Sequence, residues 1–69
     1  MRFYRGRLLA ELRSLPTGSS APLWQLTERL TASGVAEPPA GWETVGRHLA
    51  RDGLARLDDS ADTIEVALA

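Results

Sequence analysis

Apolar residues recur at helical spacing in three stretches of the chain and alternate in a fourth. Tyr4, Leu8, Leu12 and Leu15 fall within one narrow stripe, which predicts a helix over residues 3–15, with Arg2, Arg7 and Arg13 pointing away from the stripe. Pro16, Thr17 and Gly18 stop that helix. A second helix is predicted over 22–32: Ser20 suits its N-cap, Pro22 its first turn, and Leu23, Leu26, Thr27 and Leu30 its buried face. Ser33-Gly34 ends it, glycine being common just past a helix. The stretch "GVAEPPAG" is a connector, because its prolines and glycines forbid regular structure. A third helix follows over 42–52, with Trp42, Val45 and Leu49 on one side and Glu43, Thr44, Arg47, His48 and Arg51 on the other. Gly53 closes it.

Beyond Gly53 the period changes. Ile64, Val66 and Leu68 alternate with Thr63, Glu65 and Ala67, as in a half-buried strand. "LARL" is a less regular first strand; Leu54 and Leu57 differ in parity, which assigns Leu54 to the turn that closes the helix. "DDSAD", residues 58–62, is a loop rich in turn formers. A two-stranded hairpin does not stand alone in water, so its Ile-Val-Leu face must lie on the helices. The expected fold class is mainly α with a small β-hairpin (α+β), three helices plus a two-stranded wing. A short extra strand near residues 19–21 is compatible with it.

Length narrows the picture. With 69 residues the chain is expected to form a single domain over 1–69, of a size that buries only about 60% of its unfolded surface. It has no cysteine, so neither a disulfide framework nor a thiolate metal site supplements the core. Tight helix packing or association with a partner remain as sources of stability. No apolar run approaches the roughly 20 residues of a membrane helix, and "MRFYRGRLLAELR" lacks the apolar segment of a signal peptide. A cytoplasmic location with no membrane contact is the expectation.

Charge is distributed unevenly. The formal net charge is −1, which exerts no overall pull on nucleic acid. Residues 1–15 carry +3, residues 42–57 carry +1, and residues 58–69 carry −4.

Taken together, "PLWQLTERL", "GV" and "TVGRHLARDGLARL" resemble the winged helix-turn-helix of bacterial transcription regulators. The similarity covers about residues 5–68. It implies that the helix at 42–52 is a recognition helix that enters the major groove of double-stranded DNA. On that reading the DNA-binding residues are Thr44, Arg47, His48 and Arg51, with Arg56 of the wing touching the backbone. Thr44 would meet phosphate near a helix start, while Arg47 or Arg51 could bind guanine with a two-pronged guanidinium. A homodimer on a two-fold site follows naturally for one small module. The chain departs from the family pattern in the insertion "AEPPAG", in a short link from the third helix to the wing, and in the acidic wing tip.

A second reading keeps the fold and changes the use. Asp58, Asp59 and Asp62 would repel a phosphate backbone. Trp24 lies about a quarter-turn from the leucine stripe of the second helix, where it either caps the core edge or anchors a protein partner. Glu43 can pair with Arg47 one turn on, and Gly46 inside a helix reads equally as a close approach, for instance of the second helix, or as simple tolerance. No metal site is expected from one histidine without cysteine, and the calcium-loop pattern is missing. No cofactor is implied. An enzyme is not expected either: the serines lack a nucleophile elbow, and paired carboxylates occur only in a solvated loop.

Overall fold

In chain order the elements are α1 (Arg2–Arg13), β1 (Ser20–Pro22), α2 (Leu23–Ala32), α3 (Trp42–Arg51), β2 (Ala55–Asp58) and β3 (Glu65–Leu68). They are seen in a computed structural model that describes residues 2–60 and 62–69; Ala61, in the loop between the last two strands, lies outside the described residues. The three helices pack against a three-stranded antiparallel sheet of order β1-β3-β2. The expected two-stranded wing is therefore larger by one strand. β1 occupies the place where the sequence allowed a short strand, and it pairs Ala21 with Val66 while β2 pairs Leu57 with the same residue from the other side. Pro22 sits on an edge strand, where its missing N–H interrupts no ladder. No helix among the described residues is long and apolar enough to cross a membrane.

The core is aliphatic. Leu8 and Leu12 of α1, Leu26 and Leu30 of α2, Val45 and Leu49 of α3 and Val66 of β3 are all fully buried. Each such side chain stabilises the fold by about 1.5–3 kcal/mol relative to exposure. Tyr4, Leu15 and Ile64 pack against this cluster from its edge. The alternation read for β3 gives the right face, but Leu68 at the end of the sheet keeps 42% of its surface exposed.

Helix ends follow local chemistry. Ser14 and Leu15 donate to the carbonyls of Glu11 and Leu12, a tightened last turn, and Pro16 holds Leu15 out of the α region. Ser20 is not the N-cap of α2. Pro22 precedes that helix without a side-chain cap, and the Leu23 N–H donates instead to Ile64 O at 2.7 Å. A backbone carbonyl just before β3 thus does what a capping side chain was expected to do, and the Ser20 hydroxyl donates to Glu65 Oε1.

α2 and α3 stop in the same way. Gly34 at φ +89° donates to Thr31 O while Val35 donates to Leu30 O; Gly53 at φ +77° donates to Ala50 O while Leu54 donates to Leu49 O. This paired bonding satisfies the last free carbonyls and requires a left-handed residue at each stop. It sends Val35 into the core and turns Leu54 into the entry of β2, as its parity suggested.

Candidate interaction surfaces

The outward side of α3 and the loop after β2 form one charged region. Arg47 lies one turn beyond Glu43 and opposite the β2–β3 loop, so both acids reach it: Nε donates to Glu43 Oε2 at 3.1 Å and Nη2 to Asp59 Oδ2 at 3.3 Å. Bonding to Glu43 first and Asp59 second raises the Arg47 pKa above its ordinary value. The sequence offered the partner within the helix; the partner from the loop depends on tertiary structure and had no sequence signal. The loop also organises itself. Asp58 Oδ1 accepts from the Ser60 hydroxyl at 2.6 Å and from the Ser60 N–H at 3.0 Å. These bonds, the hydroxyl foremost, hold the Asp58 carboxyl below its ordinary pKa.

The other residues expected at DNA are spread over this region. Thr44 and His48 are half-buried on α3, Arg51 is exposed near its end, and Arg56 is exposed on β2. Arg51 and Arg56 have no carboxylate partner among the described residues. Arg5 of α1 closes the far end of α3 by pairing with Asp52, and Arg29 of α2 pairs with Glu11 of α1 at 3.2 Å.

Gly46 has a packing role, though not against the second helix. A Cβ there would lie 3.2 Å from Leu57 Cδ1 of β2 and 4.0 Å from Leu8 Cδ2 of α1. The missing side chain lets Leu57 of the sheet approach α3 closely.

A second region is apolar. An open groove of about 320 Å³ runs between α2, the connector, the start of α3 and the residues just before β3. Leu23, Trp24, Trp42 and Ile64 line it, together with the exposed carboxylates of Glu37 and Asp62. Trp42 is buried, and its Nε1 has no acceptor among the described residues. Trp24 keeps 55% of its surface exposed. Tyr4 meets the Trp42 ring edge-on at 5.7 Å, and Phe3 meets Tyr4 at 5.3 Å. Phe3, Tyr4 and Trp42 are therefore in edge-on contact, and Trp42 and Trp24 both line the groove.

Phe3, 62% exposed, is the largest feature that sequence reading passed over. It sits one position before Tyr4 and so about a quarter-turn off the buried stripe. That offset was readable. Among the described residues no group of three or more histidine, cysteine, aspartate or glutamate side chains is gathered to hold a metal ion. No family model, curated protein or solved structure matches the chain.

Proposed function

We propose that this chain is a winged helix used to dock protein rather than to read DNA. The element order and the β1-β3-β2 sheet are consistent with a winged-helix layout, in line with the resemblance to bacterial transcription regulators. The observation that carries the docking reading is the closure of Arg47 between Glu43 and Asp59. A guanidinium so engaged must break two ion pairs before it meets a phosphate or a base. The acids that hold it would face the same polyanion, and DNA binding depends on neutralising phosphates with free cations. The groove beside Trp24 supplies the alternative surface. An exposed aromatic over a partly apolar hollow is the kind of feature that anchors protein contacts.

The test is fluorescence anisotropy of a labelled mixed-sequence duplex at low salt. The expected result is no binding by the native chain. Glu43→Gln with Asp59→Asn removes two negative charges and frees Arg47, and is expected to produce weak, salt-sensitive binding. Native binding that weakens steeply with salt and is lost in Arg47→Ala would overturn the proposal.

One observation favours the regulator reading: Arg51 and Arg56 are exposed and unpaired among the described residues. If DNA is the ligand, these two arginines carry most of the contact. Their joint replacement by alanine would then abolish the anisotropy change.

A further inference from the structure

We infer that the groove beside Trp24 takes an arginine side chain from an exposed segment of a partner protein, its guanidinium on the Trp24 ring and bonded to the carboxylates of Glu37 and Asp62. The inference rests on the protein-docking reading above and names the chemistry of the partner.

Charge is the first argument. Glu37 comes from the connector and Asp62 from the stretch just before β3, and both line one hollow. None of the residues lining it is basic. Elsewhere the chain gives its acids a cation of its own: Glu11 has Arg29, Asp52 has Arg5, and Glu43 and Asp59 share Arg47. Glu37 and Asp62 pair with no arginine among the described residues. A hollow with two negative charges and no positive one favours a cationic occupant and turns away an acidic one.

The wall selects which cation. Trp24 lines the same hollow and keeps 55% of its surface exposed. An indole face is the best of the aromatic platforms for a cation. A guanidinium is planar, so it stacks on a ring while its N–H groups reach a carboxylate in its own plane. An ammonium is a compact, strongly hydrated point charge and offers no such fork. The aliphatic stem of an arginine has its own place against Leu23 and Ile64, which line the hollow as well.

Trp42 separates a peptide from a free cation. It lines the hollow with 5% of its surface exposed, and its Nε1 has no acceptor among the described residues. Buried indole N–H groups ordinarily have a partner. A guanidinium has donors only and does not supply one, whereas the main-chain carbonyls beside an arginine do. Size agrees. About 320 Å³ lies at the lower end of the roughly 300–1,000 Å³ of ligand pockets, which suits one side chain with its adjoining backbone rather than a folded surface.

An NMR titration of the isotope-labelled full chain with the capped peptide acetyl-Gly-Leu-Arg-Leu-Gly-amide, at low salt, tests the inference. The indole N–H signals of Trp24 and Trp42 report on the hollow directly. The expected result is a saturable shift of both, with Kd on the order of 0.1–1 mM, weakening as salt is added. The same peptide with glutamine in place of arginine should bind about tenfold more weakly or worse, and with glutamate it should not bind. Trp24→Ser alone, and Glu37→Gln with Asp62→Asn, should each weaken the arginine peptide about tenfold or more. All three residues are exposed, so circular dichroism should show both variants folded. Arg51→Ala, outside the hollow, should change nothing.

Methylguanidinium, a cation with no acceptor, gives the sharper arm: it should bind more weakly than the peptide and leave the Trp42 indole signal in place. Indole signals that ignore the arginine peptide, a glutamine peptide that binds equally well, binding indifferent to the loss of both carboxylates, or methylguanidinium that matches the peptide would each overturn the inference. Adding mixed-sequence duplex to the same sample separates this inference from the reading it rests on. A chain that responds to neither peptide nor duplex loses the arginine and keeps the docking reading. Salt-sensitive shifts along α3 with duplex remove the docking reading itself.

Discussion

The charged side of α3 and the groove beside Trp24 differ in how far each satisfies itself. On α3 the central cation has two carboxylates of its own, the loop aspartate has its own hydroxyl and N–H, and the helix end is tied to α1 through Arg5 and Asp52. Around the groove, Trp24 remains more than half exposed, and two carboxylates lack an arginine partner among the described residues. On the α3 side the central interactions are already made, and what remains for a ligand is the pair Arg51 and Arg56, which have no carboxylate partner among the described residues. A surface with exposed apolar area and unmet charge gains by being covered. That contrast, more than any single residue, separates the docking reading from the DNA reading.

Both regions stand on the same core, and the largest expected effect lies there. Leu49 is buried under α3, so Leu49→Ala should cost about 2–5 kcal/mol in denaturant unfolding. Trp24→Ser, at an exposed site, should cost about 1 kcal/mol or less. If the two substitutions destabilise the chain equally, Trp24 is core, and the contrast between the regions fails at its strongest point.

Gly53 gives the next effect. Its φ of +77° is a conformation that other residues resist, so Gly53→Ala should destabilise the fold by about 1–2 kcal/mol. It should also loosen the step from α3 into β2 that sets the loop opposite Arg47. Amide signals of Asp59 and Arg47 should move together in that variant, while those around Trp24 stay in place. Shifts spread evenly over both regions would show that they are not independent.

The smallest effect is electrostatic. Asp58 is held below its ordinary pKa chiefly by the Ser60 hydroxyl and then by the Ser60 N–H. A lowered carboxyl contributes stability above its unfolded pKa and loses it as the pH falls through the folded value. The window therefore lies on the acid side of the ordinary aspartate value. Ser60→Ala removes the hydroxyl and keeps the N–H, so the Asp58 carboxyl, followed by carbon NMR, should titrate part of the way back toward normal. No change would mean that the loop is not organised as described.

Much of this was readable in the sequence, and the failures share a cause. The leucine stripes placed the three helices to within a few residues, and the glycines at 34 and 53 marked two stops correctly, because both signals are local. Ser20 was read as a helix cap because its type suits one. The chain instead takes that serine into a strand and caps α2 with the carbonyl of Ile64, some forty residues on. Gly46 was compatible with either a close approach or simple tolerance; it is a close approach, and the neighbour is Leu57 of the sheet. Of the site, the i, i+4 pair of Glu43 and Arg47 was legible from spacing, whereas Asp59 was not, and it is Asp59 that changes the meaning of Arg47. Trp24 was visible as an oddity. The hollow beside it, built from α2, the connector, the start of α3 and the residues before β3, was not.

The most direct test of where this molecule works is an amide-resolved NMR titration of the labelled chain with a mixed-sequence duplex at low salt. The account expects Thr44, Arg47, His48 and Arg51 to stay still on adding duplex. Salt-sensitive shifts along α3 with duplex would contradict it.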